Sequence, residues 1–277
     1  MSESSSHWQC RAATLTFMTT QADKAELLRS LHVPGDPLIL TNVWDAVTAR
    51  TVAGVPGVKA IASASHSVSY AHGVSDGEGM TVDQALTAAS EIVGAVDLPV
   101  TIDFEKGYAR DPSGVEANVR RLIETGAVGL NLEDSADGSS LFPLDSAAER
   151  VAAARSAGNA SAVPIVINAR VDALVRGSDW DDMVARANSY LGAGADCVFV
   201  LGLASEEQVT RALAAIEGKV SVISGATSVP LKRLAELGVS RVSFGPGILG
   251  LTLSHLQDAV AALTSRGEYP PELAFEY

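Results

Sequence analysis

Three apolar segments of this chain end in charged residues. Segment 99–104 finishes on Asp103-Phe104 and runs into Glu105-Lys106-Gly107-Tyr108; segment 127–133 finishes on Asn131-Leu132-Glu133; segment 164–169 is followed by Arg170-Val171-Asp172. Side chains alternate along a strand, so Asp103 and Glu105 are expected on one side, with Glu133 arriving at the same height from the neighbouring strand. Unit charges about 4 Å apart repel by about 4 kcal/mol per pair at an effective dielectric near 20, so some of these carboxylates must protonate unless a cation joins them. An all-oxygen set of this kind suits Mg²⁺ or Mn²⁺, which keeps several waters and takes up substrate oxygens. Arg170 brings a planar guanidinium that grips a carboxylate and stabilises charge on an adjacent oxygen, which implies an anionic small-molecule substrate. Taken singly, each residue is better explained as a surface ion pair. Four of them at three consecutive strand ends point to a site.

Softer candidates surround this set. The segment Ile61-Ala62-Ser63-Ala64-Ser65-His66 is rich in small polar residues, which let backbone N–H groups approach a ligand; it reads equally as an oxyanion cradle or an ordinary serine-rich loop. His66 and His72 are acid–base candidates, although a lone histidine is more often structural. A Schiff-base mechanism would need a lysine inside a strand end, and none of the strand interiors holds one. Lys106 has the wrong parity relative to Asp103 and Glu105, so it is expected to point away or to cap the loop.

These residues need a scaffold that brings strand ends together. Apolar strand, polar turn and Ala-rich amphipathic segment recur roughly every 30 residues, as βα units require. Eight strands are expected, at 37–41, 58–63, 99–104, 127–133, 164–169, 196–201, 220–223 and 241–244. Segments 115–124, 179–191 and 206–216 carry apolar residues three and four apart and read as outer helices. Gly126-Ala127, Gly194-Ala195 and Gly238-Val239 stop helices and lead straight into strands. The pattern predicts a closed (β/α)8 TIM-type barrel, with active residues at the C-terminal strand ends. An open doubly wound sheet is the structural rival, but 42–45 lacks the glycines of a dinucleotide loop.

Residues 1–20 read as a loose N-terminal tail, with Met18 an alternative start, and 21–277 as a single barrel domain with a C-terminal helical extension. The chain has 47% hydrophobic but only 5% aromatic residues, so its core must be aliphatic, as short parallel strands under Ala-rich helices require. A net charge of -13 argues against nucleic-acid and membrane-surface partners. Cys10 and Cys197 stand too far apart to suggest a disulfide framework, and neither an apolar run of spanning length nor a signal-peptide pattern is present; a cytoplasmic location is expected.

The sequence resembles the isocitrate lyase and phosphoenolpyruvate mutase superfamily through Asn42-Val43-Trp44-Asp45-Ala46, His72-Gly73-Val74-Ser75-Asp76, Asp103-Phe104-Glu105-Lys106-Gly107-Tyr108, Leu132-Glu133-Asp134 and Ala169-Arg170-Val171-Asp172, in an order that spans about residues 22–253. That resemblance implies a barrel whose last helix is exchanged between protomers of a homodimer, commonly within a homotetramer. It implies Mg²⁺-dependent making or breaking of a C–C or P–C bond beside a 2-oxo acid, through a metal-stabilised enolate. By position, Asp103 would be the direct metal ligand, Glu105 and Glu133 would act largely through water, and Asp76 would be a further acid of the site. Arg170 would bind substrate with Trp44, while the Ser63-Ala64-Ser65 turn would receive the pyruvate-like end. Arg170, Asp76 and Glu133 are the catalytic candidates.

The sequence also departs from the best-known members. The loop 135–145 lacks the Lys-Lys-Cys-Gly-His gate of isocitrate and methylisocitrate lyases, and Leu201 stands where mutases carry a phosphonate-binding histidine. Decarboxylation of an oxaloacetate-like acid or cleavage of a substituted malate is the reading left, with a P–C bond enzyme or a non-catalytic 2-oxo acid binding protein as alternatives.

Overall fold

A computed structural model describes residues 20–137, 139–266 and 269; the N-terminal tail with Cys10 and Met18, and most of the C-terminal extension beyond 266, lie outside the described residues. The order is α1 (Gln21–Ser30), β1 (Leu38–Leu40), β2 (Asn42–Val43), α2 (Ala46–Ala53), β3 (Ile61–Ser63), α3 (Ser65–Ala71) and α4 (Val82–Gly94). Then come β4 (Val100–Asp103), α5 (Pro112–Glu124), β5 (Gly129–Glu133), α6 (Leu144–Ala160) and β6 (Val166–Val171). A 3₁₀ turn (Ala173–Arg176) precedes α7 (Trp180–Gly192), β7 (Cys197–Val200), α8 (Glu206–Ala215), β8 (Val220–Ile223), α9 (Leu231–Leu237), β9 (Arg241–Ser243) and α10 (Gly247–Arg266).

All strands pair in parallel, in the order β1-β9-β8-β7-β6-β5-β4-β3-β2. β1 and β2 are consecutive pieces of one stave, one pairing with β9 and the other with β3, so the ring closes as a (β/α)8 barrel and the open-sheet rival is excluded. The first predicted strand, 37–41, is therefore corrected: it breaks at Thr41 and continues through Val43. Asn42 locks that seam. Its Nδ2 donates to the Ser63 carbonyl at 2.8 Å, and its Oδ1 accepts from the backbone N–H of Phe244 and Gly245, each at 2.9 Å.

Local chemistry starts and stops the helices where the pattern asks. Thr20 and Asp23, Thr81 and Gln84, and Ser205 and Gln208 form capping boxes, while Asp111 caps α5 ahead of Pro112. Gly126, Gly194 and Gly238 take φ of 94°, 108° and 102°, the left-handed turn that feeds each following strand and that a side chain would oppose. The strands bury both faces: Leu130, Val166, Ile167, Cys197, Val198 and Val220 are fully buried, with helix residues such as Val119, Leu122 and Ala154 also fully buried in the same core. α1 plugs the N-terminal end through Ala25 and Leu28. The charged strand ends lie at the C-terminal end, where Asp103 closes β4 and Glu133 closes β5.

Candidate active site at the mouth of the barrel

Asp103, the last residue of β4, is held from three sides. Its Oδ2 accepts from the Ser65 N–H at 3.0 Å and the Ser65 hydroxyl at 2.9 Å, its own N–H donates to Ser63 Oγ at 2.8 Å, and Asn131 Nδ2 reaches Oδ1 only at 3.4 Å. Oδ1 thus keeps lone pairs for a ligand. Asn131 is itself oriented from below, its Oδ1 accepting from Asn168 Nδ2 at 2.8 Å and from the buried Arg241 guanidinium at 3.1 Å.

Glu105 reaches the site by a different route from the alternation expected of it. β4 ends at Asp103, and Glu105 sits in a left-handed conformation, φ 46°, at the start of a tight loop. What places it is the next strand, because the Glu133 N–H donates to the Glu105 carbonyl at 2.9 Å. Strand register sets Asp103 level with Asn131, so Glu133 stands beside Glu105 and one pleat above Asp103. The Glu105 carboxylate is buried, taking the Tyr108 hydroxyl on Oε1 at 2.7 Å and the Glu78 N–H on Oε2. Burial, together with the nearby charges of Asp76 and Asp103, raises its pKa from 4.5 to about 7 against the pull of those two hydrogen bonds. Behind Asp103 and Glu105 a void of about 20 Å³, lined by Met80, Ile102 and Ser69 among others, is large enough for one water.

Glu133 ends β5 facing Arg170 on β6 and forms an ion pair with it. Burial pushes the Glu133 carboxyl well above the ordinary carboxylate range; Arg170 opposes this, while Asp172, Asp103 and Glu105 add to it. Arg170 is also bound by Asp172, Nε at 2.7 Å and Nη2 at 2.9 Å. Burial alone would weaken the guanidinium's hold on its proton, but Glu133 and Asp172 outweigh it and raise the pKa. Asp172 is fully buried and completes its bonding with the Ser135 hydroxyl, and its N–H donates to Asp134 Oδ1 at 2.9 Å. Asp134 is anchored in turn by the Tyr190 hydroxyl at 2.7 Å and by Arg186 at 3.4 Å. The arginine is therefore aimed before any substrate arrives.

The remaining candidates divide. Asp76 is exposed on the loop between α3 and α4, close enough for its charge to act on Glu105. Trp44 is buried in the hydrophobic core just beyond β2. The serine segment is neither an open cradle nor a loop: Ala64 is the cap residue of α3, and the Ser65 N–H meant for a ligand is spent on Asp103. His66 stacks on Tyr70 with ring centroids 6.3 Å apart, and His72 Nδ1 bonds the Val68 carbonyl at 2.8 Å, so each has a structural partner. Lys106 turns to Glu78, with Nζ 3.8 Å from its carboxylate. Glu78 was not legible as a participant, since its N–H and side chain reach Glu105 and Tyr108 only through a loop with φ 65°. Asp172 was legible in part: it shares strand parity with Arg170.

Among the described residues, no three His, Cys, Asp or Glu side chains stand close enough to enclose a metal ion directly. The expectation of three carboxylates in one small space is thus corrected to a looser set, with Glu105 and Glu133 already bonded to protein donors. Such a set, all oxygen and short of positive charge, fits a hydrated hard cation that keeps its waters and leans on one direct carboxylate. Beside it, between the loops after β4 and β5, a cleft of about 580 Å³ is bordered by Tyr108, Arg110, Asp137 and Phe142.

A closed parallel barrel with buried carboxylates and a pre-aimed arginine at its C-terminal mouth defines a (β/α)8 protein built to hold a small anion over an oxygen-rich site. The sequence profile of the family described as phosphoenolpyruvate phosphomutase matches residues 28–264. This chain belongs to that family, within the isocitrate lyase and phosphoenolpyruvate mutase superfamily. A solved structure from Burkholderia cenocepacia J2315, provisionally called a phosphonomutase, is 40% identical with a TM-score of 0.83, over 86% of this chain and 99% of that one. A Corynebacterium glutamicum protein provisionally named 2-methylisocitrate lyase 2 is 27% identical over 64% of this chain and 60% of its own length. An oxaloacetate decarboxylase of Bradyrhizobium sp. is 28% identical over 53% of this chain and 52% of its own. The chain thus spans about 60% of the length of the first of these curated relatives and about half of the second.

Proposed function

We propose that this chain is a divalent-cation-dependent carbon–carbon lyase acting on a small 2-oxo or 2-hydroxy carboxylic acid, of the oxaloacetate or substituted-malate type. The observation that carries the reading is Arg170, locked by buried Asp172 and delivered to Glu133 among carboxylates that burial has driven above their usual pKa. Asp103 would hold Mg²⁺ or Mn²⁺ directly, with Glu105 and Glu133 reaching it through water and Asp76 adding charge from the loop. When bound, the ion supplies Lewis-acid polarisation of the substrate's 2-oxo oxygen.

The chain's own groups do the rest. Arg170 has five N–H donors and commits three nitrogens to Asp172 and Glu133, which leaves donors for a substrate carboxylate. Glu133, ion-paired with Arg170 at rest and pushed up by burial, is the group suited to take up a proton on its carboxyl during turnover. Ser63 and Ser65 fix Asp103 rather than the substrate. The decarboxylase and lyase among the relatives support C–C cleavage, and the 40%-identical phosphonomutase-like structure supports P–C chemistry as the second reading. On α10, Leu256, Val260 and Leu263 recur at i, i+4 and i+7 and stand exposed, a stripe that a second copy of the chain would cover by exchange of this helix.

The test is turnover of oxaloacetate, methylisocitrate, dimethylmalate and phosphonopyruvate with Mg²⁺ or Mn²⁺, with and without EDTA. Release of pyruvate or another 2-oxo acid from a C–C substrate, faster than in a protein-free blank holding the same cation and abolished by EDTA, supports the lyase, and conversion of phosphonopyruvate alone supports the second reading. No turnover on any of the four, with calorimetric binding of pyruvate or 2-oxoglutarate, would refute an enzyme and leave a binding protein. Light scattering of the eluting protein at monomer mass would refute the helix exchange.

A further inference from the structure

The loop that presents Glu105 runs against the preferences of its own backbone. Glu105, Gly107 and Tyr108 take φ of 46°, 84° and 53°, and a Cβ on Gly107 would meet Leu132 at 3.2 Å and Val115 at 3.3 Å. Left-handed conformations at non-glycine residues persist only where the surroundings over-determine them. Two side chains do so here. Asn118 on α5 donates to the carbonyls of Gly107 at 3.0 Å and Tyr108 at 2.9 Å. Arg150 on α6 donates to the carbonyls of Lys106, of Ala109 at 3.0 Å and of Arg110 at 3.3 Å. The carbonyls of five consecutive residues, 106–110, are thereby taken by one amide and one guanidinium.

Arg150 is an expensive way to fill space. It is 1% exposed, and among the described residues its charge meets carbonyl oxygens and the Phe142 ring, 4.2 Å away, rather than a contacting carboxylate. A buried guanidinium that touches no carboxylate, and feels Glu78 and Asp111 only at a distance, costs stability that an apolar side chain in the same place would not. Phe142 closes the loop after β5: its N–H donates to the Asp134 carbonyl at 2.9 Å and its carbonyl accepts from Arg186 at 3.0 Å.

We infer that Arg150 and Asn118 are positioning residues that clasp the loop carrying Glu105 and Tyr108, and that Arg150, stacked on Phe142, ties this clasp to the loop after β5. Without the clasp, Glu105 relaxes out of its left-handed conformation, the Tyr108 hydroxyl leaves its carboxylate, and the β4 and β5 loops move independently. The inference rests on Glu105 belonging to the site, and not on which acid is turned over.

Arg150→Met fills the volume without donors, Arg150→Lys restores one donor group without the planar fork, and Asn118→Ala tests the other half if Arg150→Met fails to fold. Hydrogen exchange measured by mass spectrometry in EDTA reads the loop without any metal, and Mn²⁺ titration followed by electron paramagnetic resonance reads the site. Loss of three bonds from a charged group in Arg150→Met, or of two amide bonds in Asn118→Ala, predicts roughly tenfold or faster exchange in segment 104–111, with β7 and α8 unchanged, and Mn²⁺ affinity roughly tenfold weaker. Arg150→Lys is expected to fall between Arg150→Met and wild type. Unchanged exchange in 104–111, or exchange accelerated evenly along the whole chain, would overturn the clasp. A wild type with no affinity for Mn²⁺ would overturn the metal reading above, and exchange in EDTA would still decide the clasp.

Discussion

Glu105→Gln should make the cation-free protein more stable at neutral and alkaline pH while weakening its hold on a divalent ion. The glutamine amide mimics the protonated acid: its carbonyl oxygen accepts the Glu78 N–H, and its amide faces the Tyr108 hydroxyl, which also accepts. In wild type, the folded state keeps the Glu105 proton up to about pH 7 while the unfolded chain releases it near 4.5. Between those values the native state binds more protons, so wild-type stability falls as pH rises through this window and is fully diminished above it. The fold therefore loses an amount of the order of 3 kcal/mol once Glu105 is ionised, a difference absent when the acid is still protonated in both states. Urea unfolding in EDTA on both proteins, from about pH 4 to about pH 8.5, measures it. The expected result is coincident stability at the acid end and a gap of about 2–3 kcal/mol in favour of the variant at the alkaline end. Parallel profiles across the whole range would refute the claim that burial holds this carboxyl protonated. Adding Mg²⁺ should narrow the gap by stabilising wild type more than the variant.

Asp103→Ala should abolish activity and divalent-ion dependence together, because its Oδ1, met only by Asn131 at 3.4 Å, keeps lone pairs for a ligand; an undiminished EDTA-sensitive rate would place the site elsewhere. Arg170→Lys should lower kcat/KM by about tenfold to a hundredfold, since one ammonium cannot span Asp172 and Glu133 and still bind substrate; steady-state kinetics on the best substrate of the panel checks this. Asn42→Leu removes one donor and one shared acceptor from the barrel seam and should cost about 3 kcal/mol or more in urea unfolding; a loss under about 1 kcal/mol would show that the seam closes without it. Divalent-ion affinity of wild type should rise with pH as Glu105 gives up its proton to the ion, a dependence that Glu105→Gln removes and calorimetric titration of Mg²⁺ at several pH values checks.

The barrel was legible because its signals are local. The recurrence of apolar strand, polar turn and amphipathic helix, and the left-handed glycines Gly126, Gly194 and Gly238 before β5, β7 and β9, each express a preference of a few neighbouring residues. The acidic strand ends and Arg170 were equally visible, since charge after an apolar run is written in the residue types themselves. Alternation failed at Glu105 because the strand had already ended, and no pattern of residue types announces a left-handed glutamate held by a hydrogen bond from the next strand. The split first stave, the capture of the Ser65 amide by Asp103, the entry of Glu78, and the locking of Arg170 by Asp172 depend on which atoms the closed ring brings within bonding distance. Proton affinities belong to that second class as well. A carboxylate in a sequence carries its ordinary pKa, and only burial beside other carboxylates, decided by packing across the whole chain, turns Glu105 and Glu133 into groups short of a cation.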